Sequence, residues 1–185
     1  MSTKKLPIEL KPLVTSECWN FYKFAIMQTM PEFDVWLASH PKLYTTQNAN
    51  AFYGESGYLH PISYFSDLLE MHETNVLTVT GDQVIDYVIQ QIDNDNYVII
   101  DVDQNKLHDK NATEARRHET MVYGYDTTDK KLIVVLLTDG WKEYRIGFEE
   151  FVAAYEYARA TYINNRNRMY YRREFHYTIA TLRPK

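Results

Sequence analysis

Apolar positions in this chain fall into blocks of two periods, helical in the first half and strand-like in the second. From Cys18 to Met30 the residues Trp19, Phe21, Tyr22, Phe24, Ala25, Ile26, Met27 and Met30 cover most of a helix circumference, the mark of a helix buried on all sides. Thr15 or Ser16 is placed to cap it, Glu17 falls in its first turn, and Pro31 ends it by excluding the α region at the residue before. Trp36 and Leu37 suggest a short helix, and Asn48-Ala49-Asn50 and Gly54-Glu55-Ser56-Gly57 are loop signals. After Pro61, the residues Ile62, Phe65, Leu68 and Leu69 share one helical face and predict a helix over Ile62–His72. Asn75–Thr80 reads as a short β-branched strand. Gly81-Asp82 then opens a helix to Ile92, striped by Val84, Ile85, Val88, Ile89 and Ile92.

Past residue 95 the blocks shorten. Tyr97–Asp103 predicts a strand, and a polar loop from Gln104 to Arg117 delivers His118 to the start of a second strand through Tyr125. Turn residues after Asp126 separate it from Leu132–Leu137, a run too apolar for a surface strand, so the two form a buried hairpin. Asp139-Gly140 turns the chain into a more solvated strand, Glu143–Ile146, and Phe148–Ile163 is a helix. Alternation between Met169 and Leu182 predicts a last edge strand closed by Pro184, while Met1–Val14, with Pro7 and Pro12, reads as an extended surface lead-in. Helices first, a strand and helix in the middle and an antiparallel sheet behind define an α+β fold, a helix layer against a twisted sheet.

Length and charge bound the rest. With 185 residues the chain is expected to be one domain, residues 1–185. Its net charge of −5 argues against a generic nucleic-acid binder. No N-terminal apolar core of a signal peptide and no run of about 18 apolar residues is present, which points to a cytoplasmic protein without a membrane span. A single cysteine, Cys18, excludes an intrachain disulfide and any multi-cysteine metal site. The 16 tyrosines are an excess that no sequence pattern connects to a chemistry.

Three constellations carry chemistry. Cys18 stands near a helix N-terminus, where unpaired N–H groups favour the attacking thiolate. His118 at a strand start is placed to act as its base and then as general acid, and Asp139 at the end of the next strand, with Thr138 beside it, is the nearest group to orient the imidazole. Against this stands the plain reading of a lone cysteine on an apolar helix as a core residue. A second constellation, Asp101 and Asp103 on one side of a strand with His108, Asp109 or His118, offers oxygen and nitrogen ligands to a divalent metal without a fixed ligand spacing. His40, His60, His72 and His176 lie in polar or proline-flanked contexts and read as surface residues. The third is the C-terminal stretch Ala158–Lys185, with seven Lys or Arg against one Glu, whose Arg166, Arg168, Arg172 and Arg173 form either a solvated face or a grip for an acidic partner. No Walker loop, dinucleotide glycine fingerprint or Gly-x-Ser-x-Gly elbow is present.

Several of these segments together resemble a family. Val98-Ile99-Ile100-Asp101-Val102-Asp103, the His118 to Asp126 strand and turn, Tyr144-Arg145-Ile146-Gly147-Phe148-Glu149-Glu150-Phe151 and Ile179-Ala180-Thr181-Leu182-Arg183-Pro184, with Cys18-Trp19-Asn20-Phe21 as a Cys-Trp-x-Phe helix start, are similar to the papain-like C39 group and within it to the butirosin biosynthesis protein H N-terminal domain. The resemblance implies a papain-like fold. It also implies cysteine-dependent transfer of an acyl group from a carrier-protein phosphopantetheine thioester to a small-molecule amine in natural-product biosynthesis; no cofactor, metal, nucleic acid or membrane is expected. It assigns the nucleophile to Cys18 and the base to His118. Two departures stand out: Leu10, Lys11 and Pro12 occupy the place of the oxyanion glutamine, and Val134-Val135-Leu136-Leu137 has no polar member, leaving Asp139 for the third position. They make a cysteine peptidase a weaker reading than an acyltransferase or a noncatalytic papain-like accessory domain, with a thioester hydrolase as a further alternative. Because carrier proteins are generally acidic, a chain of this net charge is expected to dock one through the arginine cluster.

Overall fold

Strand propensity and burial produce elements in the order β1 (Thr3–Lys5), α1 (Cys18–Met27), α2 (Phe33–Ser39), β2 (Leu69–Asn75), α3 (Gly81–Asp93), β3 (Tyr97–Asp103), α4 (Gln104–His108), β4 (Arg117–Asp126), β5 (Lys131–Leu137), β6 (Trp141–Gly147), α5 (Phe148–Asn164) and β7 (Thr178–Pro184). This is a computed structural model describing residues 2–13, 18–40, 65–108, 113–114, 116–164 and 178–185. Helices combine with antiparallel sheet in the expected α+β class. The strand order is β2-β7-β3-β4-β5-β6, with β1 added alongside β4. Two compact units are present, Met1–Leu6 with His72–Thr181, and Pro7–Met71 with Leu182–Lys185, so the boundaries fall within β2 and β7.

In the first unit, β3, β4 and β5 hold the core. Val98–Ile100, Val102, Met121–Tyr123 and Leu132–Leu136 are buried in unbroken runs, the pattern of strands covered on both faces. The expected hairpin is present, β4 pairing antiparallel with β5 from Met121↔Val135 to Asp126↔Lys131, with a bulge between Val122 and Gly124. Asp126 shapes the turn: its Oδ1 accepts the N–H groups of Thr128 (3.0 Å) and Asp129 (3.1 Å), and its Oδ2 meets Arg145 at 3.0 Å. β6 completes the meander and is more solvated, as its alternation predicts. Helix α5 packs on β3 and buries Phe151, Ala154, Tyr155 and Ala158, an i, i+3, i+4, i+7 stripe whose two alanines permit a close approach. Helix α3 begins at the cap residue Thr80, whose N–H donates to Gln83 Oε1 at 3.1 Å, and buries Val84, Val88 and Ile92.

In the second unit α1 is buried on all sides, with Phe21, Tyr22 and Phe24–Met27 fully covered. Phe24 lies edge-on to Phe33, Trp36 and Phe65, and Lys23 Nζ stands 4.5 Å above the Phe65 ring, a cation–π contact that lets a buried ammonium keep an attractive partner. Residues before α1 are tied to it, Glu9 N–H donating to Ala25 O at 2.8 Å. Helix α1 closes at Met27 with a tighter turn in which Thr29 Oγ1 donates to Ile26 O, before Pro31 is reached.

Four expectations are corrected. The helix predicted over Ile62–His72 is, over its described part, a turn followed by strand β2, because Leu68 and Leu69 are buried consecutively rather than on one helical face. Asn75–Thr80 is a 3-10 turn over Val76–Thr78 rather than a strand. Asn75 Oδ1 accepts Leu77 N–H, and Tyr155 and Arg159, one helical turn apart, donate to the carbonyls of Val76, Leu77 and Val79. The last strand is interior, between β2 and β3, and Ile179–Leu182 are all buried. The N-terminal lead-in carries β1, with Lys5 opposite Gly124 and Leu6 N–H on Tyr123 O at 2.8 Å. The caps Thr15, Ser16 and Glu17, the two loop signals and the arginine cluster lie outside the described residues.

Gly124 is where β1, β4 and β5 crowd together. A Cβ there would stand 2.9 Å from Lys4 O and 3.0 Å from Ile133 Cδ1, at a bulge. Gly124→Ala is expected to cost about 1–3 kcal/mol through overpacking, read from the urea midpoint; an unchanged midpoint would mean that β1 yields without cost.

Candidate functional site

His118 owes its position to the β3–β4 ladder. Val102 is paired with His118 and Asp103 with Arg117, and one further backbone bond, Gln104 N–H to Arg116 O at 2.8 Å, extends the pairing past the end of β3. The side chain of Asp103, fully buried, closes this end. Its Oδ1 accepts the N–H groups of Asn105 (3.0 Å), Lys106 (3.3 Å) and Arg116 (3.2 Å), thereby capping α4 and holding the returning chain with one atom. Oδ2 of the same carboxylate is buried without a hydrogen-bond partner among the described residues.

Around the His118 side chain, which is 22 % exposed, three groups gather at one ring nitrogen. Nδ1 lies 2.8 Å from the backbone oxygen of Glu119, 3.5 Å from Gln104 Nε2 and 3.6 Å from the Glu119 carboxylate. A backbone carbonyl only accepts, so Nδ1 carries the hydrogen, and in the neutral ring Nε2 is the basic nitrogen. On the next residue but one, Thr120 Oγ1 donates to Val135 O at 2.6 Å, joining the two strands of the buried hairpin just beyond the histidine.

Cys18, a half-buried residue, is the first of α1 in the second unit; His118 and Asp139 belong to the first. Asp139 takes a different role from the orienting one expected of it. Its carboxylate is 76 % exposed, pairs with Lys142 Nζ at 2.6 Å across the β5–β6 turn, accepts Thr138 Oγ1 at 3.0 Å, and makes no hydrogen bond to His118. The Lys142 hydrogen bond and the Thr138 hydroxyl hold it below the usual carboxylate range. The groups at His118 Nδ1 are instead Glu119 O and the Gln104 amide. Sequence reasoning passed over both, since one is a backbone atom and the other stood in what read as a loop. The available signal was the pair Asp103-Gln104 ending an apolar strand, a capping residue followed by an amide.

For the metal reading, Asp101 Oδ2 lies 3.7 Å from Arg117 Nε, and Asp103 is engaged with backbone. Among the described residues no group of three or more His, Cys, Asp or Glu is arranged to hold a metal ion; Asp109 and the His108 side chain are outside them. Of the other histidines, His40 stacks on Trp36 at 4.3 Å between ring centroids and hydrogen-bonds Trp36 O, His72 is exposed, and His60 and His176 are outside the described residues. In the second unit an open cleft of about 410 Å³ is lined by Pro31, Val35, Trp36, Ser39 and Leu68 and bordered by the carboxylates of Glu32 and Asp67. No helix among the described residues is long and apolar enough to cross a membrane.

Compared with known proteins, the chain matches no family model, no curated protein and no solved structure.

The Asp103 clamp sets a graded expectation. Asp103→Ala leaves three N–H groups without their acceptor and is expected to cost about 2–4 kcal/mol, while Asp103→Asn, which keeps an acceptor oxygen, is expected to cost less than half of that. Equal losses for the two variants in denaturant titrations would deny Oδ1 this role.

Proposed function

We propose that the chain is a papain-like, cysteine-dependent acyltransferase that moves an acyl group from a carrier-protein thioester to an amine, with Cys18 as nucleophile and His118 as base. The observation that carries the reading is the commitment of His118 Nδ1 to Glu119 O, which makes Nε2 the proton acceptor of a partly exposed ring at a fixed strand position. Cys18 at the start of α1 adds a thiol whose anion the terminal N–H groups favour.

In the first half-reaction Cys18 Sγ attacks the thioester carbonyl carbon and its proton passes to His118 Nε2. The tetrahedral intermediate then breaks the bond to the carrier sulfur, which leaves as a thiol after taking the proton from His118. The products are an acyl-Cys18 thioester and a free phosphopantetheine thiol. In the second half-reaction the amine attacks the acyl carbon, gives its proton to His118, and releases the amide as Cys18 recovers its hydrogen. No oxidation or reduction occurs. The fold-determining register supplies only the imidazole side of this scheme, and the pairing with Cys18 is part of the proposal.

Incubation with a small acyl thioester is expected to add one acyl mass to the parent on Cys18, detected by intact and peptide mass spectrometry, and to add none to Cys18→Ser. His118→Ala should slow acylation by roughly 10²–10⁴-fold. Discharge of the adduct to water with no preference for amine would make the enzyme a thioester hydrolase. A folded parent with neither an adduct nor iodoacetamide labelling of Cys18 near neutral pH would leave the noncatalytic accessory domain.

The carrier is expected to dock through Arg166, Arg168, Arg172 and Arg173. Reversing Arg172 and Arg173 to Glu should slow acylation by a carrier-bound thioester at low salt and flatten its salt dependence, with acylation by a small free thioester unchanged. Equal carrier-dependent rates for variant and parent would return the cluster to a solvated surface.

A further inference from the structure

We infer that Gln104 is the side chain that fixes the tautomer of the His118 ring, by presenting its amide oxygen to Nδ1–H alongside Glu119 O. Gln104 is 1 % exposed and its backbone is pinned by the bond to Arg116 O. Its neighbour Asp103 grips both the start of α4 and the return of the chain at Arg116, which brings Gln104 beside His118. The end of the Gln104 carboxamide lies 3.5 Å from Nδ1, while its other polar atom, Oε1, is buried without a hydrogen-bond partner among the described residues.

Two hydrogen-bond settings are open to this amide. With the NH₂ toward the ring, two donors confront each other, because Nδ1 already carries the hydrogen it gives to Glu119 O 2.8 Å away, and the buried oxygen goes without a donor. A half-turn about the last side-chain bond exchanges nitrogen and oxygen at the ring. Nδ1–H then has two acceptors and the repulsive contact is gone, while the NH₂ takes the buried place that the oxygen held without a donor. That setting holds the hydrogen on Nδ1 and the lone pair on Nε2. Gln104 therefore acts as a positioning residue, through the histidine and without touching a reacting atom. Its service to catalysis rests on the proposed role of His118 as base; its control of the ring hydrogen does not.

Nitrogen-15 spectra of the full chain labelled at histidine, with the His118 signals assigned by their loss in His118→Gln, report the tautomer directly. In the parent, above the ring's titration, Nδ1 is expected to show the protonated and Nε2 the unprotonated shift; a parent ring protonated at Nε2 overturns the inference at once, with no variant needed. Gln104→Met, close in volume and without a polar terminus, is expected to raise the Nε2–H to Nδ1–H ratio by roughly fivefold. Gln104→Glu, which keeps an acceptor, should hold the parent tautomer. Met-variant shifts identical to the parent, or a Glu variant behaving like the Met variant, also overturn it. The acylation rate of Cys18 in Gln104→Met separates the two claims. A fall in step with the tautomer supports both, whereas an altered tautomer with unchanged acylation supports the inference and overturns the reading of His118 as base.

Discussion

The register between β3 and β4 is the constraint from which the rest follows. Both strands are covered on both faces over most of their length, so a slip of one residue would exchange every inward and outward side chain at once. That penalty is spread over the whole apolar ladder, yet it is felt at its polar end, where it sets Val102 against His118 and Asp103 against Arg117. The candidate site is thus the boundary of the core. Its histidine is held by hydrophobic burial a few residues away rather than by a network of its own, and the bulge between Val122 and Gly124 further fixes which residues of β4 meet β5.

Tyrosine finds a physical use in this arrangement. Tyr123 is buried and donates to Glu143, which also pairs with Lys5 at 2.8 Å; Tyr125 donates to Asp93 at 2.6 Å; Tyr87 reaches Thr74 at 3.1 Å and Tyr144 reaches Thr138 at 3.1 Å. Each ring adds apolar area to a packed layer while its hydroxyl crosses to a polar group on another element. Burial holds the Tyr97, Tyr123 and Tyr155 phenols well above their ordinary range, so they remain neutral donors at any physiological pH. Glu143 behaves oppositely: burial works to raise its carboxyl, but Lys5 and Tyr123 outweigh it and the net direction is down. Its contribution to stability is accordingly present above the unfolded carboxylate range and lost as pH falls through the lower, folded value.

What the chain reveals by pattern alone is what is encoded locally. Tyr97–Asp103, the β4–β5 hairpin and the Phe148 helix each combine a strong period with flanking turn residues, and each stands where its pattern puts it. β2 is not legible locally because its sheet partner lies far along the chain: Thr181 Oγ1 meets His72 O across 109 positions, and nothing near Leu69 announces that pairing. The closing strand failed for the same reason, its interior place being a property of β2 and β3 rather than of its own alternation. At the site, His118 was legible as a histidine opening an apolar strand. Asp139 stands near the hairpin in the sequence, but Lys142, three residues on, pairs with its carboxylate. Gln104 needed the register to be known, since only the ladder carries a residue that precedes His118 by 14 positions to the edge of its ring.

The position of β7 bears on how the sheet is assembled during synthesis. Strands β3 to β6 follow one another and pair with their neighbours in order, so each hairpin can close as soon as its residues clear the ribosome. β2 is made before all of them, yet its sheet neighbour is β7, the last strand among the described residues, and the gap between β2 and β3 stays vacant until residue 184 emerges. During that interval the edge of β3 is an open template for any extended peptide.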